Sequence, residues 1–281
     1  MTFASGPQVP SQEMPAGPRP ARELQAPADA TPVAESATPA HVACIMDGNG
    51  RWAQQRRLER TGGHSAGEAA IVAAVQGAHD MGIKWLTLFA FSTENWRRPQ
   101  AEVDYLMRFN QRVIRNNAPR WHSMGLRLRY LGALDAPVPD FVREDITRVQ
   151  DLTAANTGMT LTMAFNHGGR RDLVNAFRSM IDAGVQAADV NEELLARHMQ
   201  QPDLPDVDLL IRTSGEHRLS NFLLWQMAYA EMYFPPVLWP DFRAEHLAQA
   251  IATYHSRQRR YGAVTAEFLV QQHAGAAVAQ H

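Results

Sequence analysis

The chain reads as a single α/β domain with a mostly parallel central sheet flanked by helices. Short apolar runs of strand length alternate along it with longer segments of helical periodicity, which is the pattern of βαβ units. Each of four polar clusters, at 47–51, 92–98, 166–170 and 212–218, also follows directly on an expected strand. In open parallel sheets ligands sit beyond the carboxyl ends of the strands, so clusters far apart in sequence can meet in one cleft.

The elements follow in order. Residues 1–40 hold eight of the 17 prolines and no apolar periodicity, so they are expected to form a disordered Pro/Ala-rich tail. Val42 to Met46 is a buried strand, and a basic, helical stretch follows it. Ser65-Ala66-Gly67-Glu68 has the S-x-x-E form of a capping box and predicts a helix from there to Met81. Lys84 to Phe91 is the second strand. Pro99 starts a helix whose Val103, Leu106, Met107, Asn110, Val113 and Ile114 share a face, and Pro119 is expected to close it. A strand at Leu126–Leu131, a helix at Val138–Ala155 and a strand at Thr160–Phe165 come next, and Asn166 to Arg170 turns into another helix. Asp206 to Ile211 is strand-like, Phe222 to Ala230 is expected to be an apolar helix, and Arg243 to Arg260 the last amphipathic one. These elements place the domain at 41–265, with a flexible tail at 266–281.

Composition narrows the function. A hydrophobic fraction of 45% supports a real core. The net charge of −2 resides in the tail, leaving 25 basic and 25 acidic residues in the body, which argues against a nucleic-acid track. Cys44 is the only cysteine, so no intrachain disulfide can form. It reads as a buried strand residue in a reducing compartment. No apolar run approaches the roughly 20 residues of a membrane-spanning helix, and the expected location is cytoplasmic.

The stretch from His41 to His64 carries the chemistry. An apolar strand runs into Asp47-Gly48-Asn49-Gly50 and then into a basic segment. Glycines let backbone N–H groups approach an anion, and a helix start and arginines supply positive potential. Asp47 would repel a phosphate unless a divalent cation lay between them, so the stretch reads as a magnesium-assisted diphosphate site. Asp-Gly and Asn-Gly are also ordinary turn formers. Gly48-x-Gly50-x-x-Ala53 satisfies a dinucleotide fingerprint too, but no acid ends a second strand about 20 residues on. Ser92 to Pro99 offers hydroxyl, amide and guanidinium groups able to orient a substrate. Arg212, Arg218 and Ser220 can fold around a second anion. Glu231 lies among aromatic residues, which predicts a metal or an arginine partner. His64 could be a helix-start hydrogen bonder or a phosphate donor.

Taken in order, HVACIMDGNGRWA, GGHSAG, LTLFAFSTENWRRP, NHGGRRD, LLIRTSGEHRLSNFLLWQMAYAEMYF, VLWPDF and RRYG resemble the cis-prenyltransferases, specifically bacterial undecaprenyl diphosphate synthases (isoprenyl transferases), over about residues 41–262. His167 stands where that family commonly has tyrosine. The resemblance implies a homodimeric, magnesium-dependent enzyme that adds isopentenyl diphosphate to an allylic diphosphate such as farnesyl diphosphate. The product would be a long Z-polyprenyl diphosphate, a lipid-carrier precursor for cell-wall synthesis, with peripheral contact at the inner membrane face for its release. By the same likeness Gly48, Asn49, Gly50, Arg51, Trp52, Arg60, His64 and Arg98 would hold the allylic diphosphate. Arg212, Arg218, Ser220 and a partner subunit's Arg260 would hold isopentenyl diphosphate. Asp47 and Glu231 would serve the metal, within one subunit or across the dimer, and Asp47, Ser92 and Asn95 catalysis. A growing hydrocarbon needs an apolar tunnel, for which the helices at 66–81 and 101–114 have suitable faces and Ala90 leaves room. Two other classes compete: a non-catalytic prenyltransferase subunit, which could dispense with Asp-Gly-Asn-Gly, and a dinucleotide-dependent oxidoreductase.

Overall fold

A computed structural model describes residues 38–257. The tail expected at 266–281, the Arg260 motif and all of the N-terminal tail but residues 38–40 lie outside the described residues. The elements are β1 (His41–Ile45), α1 (Asn49–Gln55), α2 (Arg60–Asp80), β2 (Trp85–Ser92), α3 (Gln100–Ser123), β3 (Arg127–Leu131), α4 (Asp140–Thr153), β4 (Thr160–His167), α5 (Gly169–Asp182), α6 (Glu192–His198), β5 (Leu209–Arg212), β6 (Glu231–Tyr233) and α7 (Ala244–Ser256). A short 3-10 turn at Thr93–Arg97 links β2 to α3.

The six strands form one sheet in the order β3-β4-β2-β1-β5-β6, and every pairing is parallel. Strand alternation sorts the side chains by face. Val42, Cys44, Leu86 and Leu88 enter a large core with α2, α3, α4 and α7. Ala43, Ile45 and Leu210 face the other way, onto Phe222, Leu223 and Met227. Both faces are covered, as β-strands that read as unbroken apolar runs require. Cys44 is buried, and burial pushes its thiol up to about 12, which leaves it unreactive.

Three local expectations are corrected by packing. The helix predicted from Ser65 begins five residues earlier, at Arg60, so Ser65 and Glu68 do not form a capping box. Ser65 instead takes hydrogen bonds from Tyr105 and Arg112, and Glu68 from Asn116 and Asn117, tying α2 to α3. Gly62-Gly63 reads locally as a helix breaker, yet a Cβ at Gly63 would lie 2.0 Å from the Asn49 carbonyl. The crossing of α1 on α2 therefore needs a glycine inside the helix. Secondly, α3 passes through Pro119 to Ser123. Fully buried Trp121, just beyond the proline, offsets the lost backbone bond. Thirdly, Phe222 to Ala230 forms turns rather than a helix. Ser220, Asn221 and Leu223 have φ of 50, 61 and 38°, incompatible with a helix. Phe222 stacks on Phe89 of β2 at 4.3 Å, so tertiary contact with the sheet overrides the apolar pattern. Neither α6 nor β6 is signalled by the sequence pattern.

Candidate active site

A cavity of about 310 Å³ opens beyond the carboxyl ends of β1, β2 and β5. Its polar lining is Asp47, Gly48, Asn49 and Gly50, Arg60 and His64 of α2, Ser92 at the end of β2 with Asn95 and Arg98 beyond it, and Arg212 at the end of β5 with Arg218 and Ser220 beyond it. Its apolar lining includes Ile71 of α2, Leu106 and Phe109 of α3, and Phe89 and Ala90 of β2. Three of the four expected clusters thus converge. Asn166 to Arg170 is absent from the wall and braces the others: Asn166 accepts from the Trp96 indole at 2.8 Å, and His167 accepts from the Leu223 backbone at 3.3 Å.

On the cavity wall Asp47 meets Arg212. Arg212 is only 3% exposed and donates to Asp47 Oδ2 at 2.6 Å, to the Arg218 carbonyl at 2.6 Å and to Ser220 Oγ at 2.7 Å. One guanidinium therefore folds the loop between β5 and β6 toward the aspartate. Thr213 adds a second tie, donating to the Asp47 carbonyl at 2.6 Å and accepting from its N–H at 3.0 Å. Gly48 has φ of 105°, its N–H donates to Asp47 Oδ1 at 2.7 Å, and a Cβ there would meet Leu238 Cδ2 at 2.9 Å. Only glycine satisfies both the turn and the close approach.

Of the three buried polar atoms of cavity residues without a hydrogen-bond partner, Asn49 Oδ1 is an acceptor, and the other two, His64 Nε2 and Arg212 Nε, can face an anion. Unpaired buried groups cost about 1–3 kcal/mol each, and a bound anion would satisfy both if His64 carries its proton on Nε2. Burial, aided by Arg98 and Arg60 and opposed by Glu102, lowers His64 to about 4. The imidazole is therefore neutral near pH 7 and able to hydrogen-bond without carrying charge.

Glu102 escaped the sequence reading. It accepts from Arg98 at 2.8 Å and approaches Arg60 at 3.5 Å and His64 at 4.0 Å, gathering three wall residues. Its i,i+4 spacing from Arg98 was the available signal. Glu216 pairs with Arg51, at 2.9 Å, and with Arg218, of which only Arg218 lines the cavity.

Some expected residues are not on the cavity wall. Arg51 is bound to Ser214 and Glu216. Trp52 donates to Asp241 at 2.8 Å and stacks under Arg56. Glu231 pairs with Arg257 at 2.8 Å on the edge strand β6, which supplies an arginine partner of the kind expected for it. Within one chain Asp47 and Glu231 do not share the cavity.

Among the described residues no three His, Cys, Asp or Glu gather as a cage. Magnesium, however, typically binds through one or two carboxylates with substrate phosphates and water. Asp47, 31% exposed on the wall and with one hydrogen bond to each oxygen, retains lone pairs for that role. The dinucleotide alternative loses ground, because β1 is followed by the seven-residue α1 rather than by the crossover helix itself.

Comparison with known proteins agrees with this geometry. The family model described as "Putative undecaprenyl diphosphate synthase" matches residues 45–262. The chain is 46% identical over 234 residues to an isoprenyl transferase of Halalkalibacterium halodurans, covering 82% of this chain and 91% of the relative. It is 46% identical over 228 residues to a ditrans,polycis-undecaprenyl-diphosphate synthase ((2E,6E)-farnesyl-diphosphate specific) of Vibrio vulnificus, covering 80% and 90%. Among solved structures, lavandulyl diphosphate synthase from Lavandula x intermedia in complex with dimethylallyl diphosphate superposes with a TM-score of 0.76 at 35% identity, covering 80% of this chain and 98% of that one.

Proposed function

Because the chain belongs to the undecaprenyl diphosphate synthase family and is an enzyme that transfers prenyl groups, we propose that it extends farnesyl diphosphate with isopentenyl diphosphate units to a long Z-polyprenyl diphosphate. The catalytic unit is assigned to residues 41–265. The observation that carries the reading is one cavity lined by both cationic and apolar side chains: Arg60, Arg98, Arg212 and Arg218 on the one hand, and Ile71, Leu106, Phe109 and Phe89 on the other. A prenyl diphosphate combines the same two characters.

In this reading Gly48, Asn49, Gly50, Arg60, His64 and Arg98 bind the allylic diphosphate, with the uncapped start of α1 adding backbone donors. Arg51 would have to leave Glu216 to join them, and Trp52 anchors α1 through Asp241. Arg212, Arg218 and Ser220 bind isopentenyl diphosphate. The two diphosphates then flank Asp47, which would hold magnesium, the ion that supplies charge to stabilise the departing diphosphate. The arginines and backbone donors share that stabilisation as charge develops on the leaving group. Ser92 and Asn95, between the two sets, orient the condensing ends, and the alkene attacks the allylic carbon as a proton is lost. The apolar wall receives the lengthening chain and keeps water from the cation.

Among the described residues no helix is long and apolar enough to cross a membrane, so membrane contact during product release is assigned to the surface. We also assign a homodimer. Val174, Phe177 and Ile181 expose one apolar face of α5, with Ile181 74% exposed. A second subunit would bring Arg260 and Glu231 within reach of the first. A non-catalytic role would leave the cavity's Asp47 and its four arginines without a purpose. The test is incubation with magnesium, labelled isopentenyl diphosphate and allylic primers of several lengths, followed by sizing of the products. A ladder of extended chains supports the function, and absence of incorporation with every primer overturns it.

A further inference from the structure

We infer that Asn221 is a positioning residue that fixes the loop carrying Ser220 against the loop carrying Ser92, Asn95 and Arg98, and thereby sets the distance between the two condensing substrates. This rests on the prenyl-transfer reading above. Asn221 touches neither expected diphosphate group. Its side chain ties together segments that three different strands deliver. The Asn221 amide nitrogen donates to Glu94 Oε1 at 2.9 Å, and its Oδ1 accepts from the Arg170 N–H at 2.9 Å. Its carbonyl accepts from the Gly169 N–H at 2.7 Å. The start of α5 has no cap from its own Gly168, so Asn221 serves that end from a distance.

Three further observations make this a built junction. Ser220 and Asn221 are successive non-glycine residues in the left-handed region, with φ of 50 and 61°. Such strain persists where surrounding bonds hold it. A Cβ on Gly168 would lie 2.7 Å from Thr93 Oγ1 and 2.8 Å from the Asn221 amide nitrogen, so the three segments leave no room for a side chain there. At Glu94, burial opposes ionisation. Hydrogen bonds from Asn221, its own backbone, Ser92 and Thr93 outweigh it and keep the carboxyl below its usual range. Glu94 is next to Asn95, and Asn221 is next to Ser220, whose hydroxyl takes the Arg212 hydrogen bond. The junction thus joins a residue beside the condensing ends to one beside the second diphosphate. A reacting pair must be held at about 3–3.5 Å, and a displacement of about 1 Å can cost on the order of a hundredfold in rate.

Asn221→Gly keeps the left-handed backbone accessible and deletes both side-chain bonds. The expected result is a kcat at least tenfold lower, with binding of a non-hydrolysable farnesyl thiodiphosphate within threefold of wild type and an unchanged melting temperature. Glu94→Ala should lower kcat similarly, the double variant should fall no further than the worse single one, and Glu94→Gln, which keeps an acceptor oxygen, should recover most of the loss. Wild-type kcat in Asn221→Gly, multiplicative losses in the double variant, or loss of thiodiphosphate binding in step with thermal stability would each overturn the positioning role. Should Asn221→Gly not fold, the Glu94→Ala and Glu94→Gln pair decides by the same rescue. A wild-type enzyme that incorporates no isopentenyl diphosphate would instead overturn the functional reading on which the inference stands.

Discussion

Replacing Asp47 by asparagine separates its charge from its place in the fold. Asp47 accepts one hydrogen bond on each carboxylate oxygen, from the Gly48 N–H at 2.7 Å and from Arg212 at 2.6 Å. An asparagine of the same size keeps an acceptor for one of them and loses the charge. Arg212 is buried, so alanine would leave its guanidinium without that partner. Truncating one member of a buried ion pair costs about 3–5 kcal/mol, reduced here because Asp47 is 31% exposed and water can reach the gap. We therefore expect Asp47→Ala to lose roughly 1–3 kcal/mol of stability and Asp47→Asn about half as much. Turnover should separate from stability: Asp47→Asn should lower kcat by about a thousandfold, the upper range for removal of one electrostatic group from a reaction centre, and should raise the magnesium concentration needed for half-maximal rate. Denaturant melts alongside a labelled isopentenyl diphosphate assay with magnesium titration provide both readings. An Asp47→Asn enzyme within tenfold of wild-type turnover, with unchanged magnesium dependence, would refute the assignment.

Other perturbations test separate parts of the account. Burial lowers His167 from 6.5 to about 4, so the folded state binds fewer protons than the unfolded one. Its contribution is therefore lost as pH falls from 6.5 toward 4. It should amount to about 2 kcal/mol between pH 7 and pH 5, and urea melts of His167→Asn should show a shallower decline over that interval. Ala90→Leu adds an isopropyl group to the apolar wall and should shorten the products, which chromatographic sizing would reveal; unchanged lengths would remove Ala90 from the tunnel. Phe177→Asp places a charge on the exposed face of α5 and should shift sedimentation from dimer toward monomer, whereas an unchanged sedimentation coefficient would place the interface elsewhere.

Much of this was legible in the sequence because strand periodicity and post-strand polar clusters are local signals. Five of the six strands lie within a few residues of their expected limits, and the residues assigned from Asp47 to Trp52, Ser92 to Arg98 and Arg212 to Ser220 meet in one cavity, apart from Arg51 and Trp52. What escaped depends on contacts distant in sequence. Gly62-Gly63 sits in a helix because α1 crosses there. Phe222 to Ala230 is apolar because it packs on β2 and β5, and its backbone is bent by the positive φ angles before it. The cluster at 166–170 follows its strand as expected, yet it supports its neighbours instead of lining the cavity. Its proximity to a ligand could not be separated from its proximity to other loops until the bonds from Asn166, His167 and Gly169 were visible.

The central claim is that one cavity holds two diphosphates on opposite sides of Asp47. A crystal structure with magnesium, farnesyl thiodiphosphate and isopentenyl diphosphate tests it most directly. The account predicts one diphosphate against Gly48, Asn49 and Gly50 with its hydrocarbon between α2 and α3, and the other against Arg212, Arg218 and Ser220. A farnesyl chain lying outside the wall formed by Ile71, Leu106 and Phe109, or both diphosphates on the same side of Asp47, would contradict it.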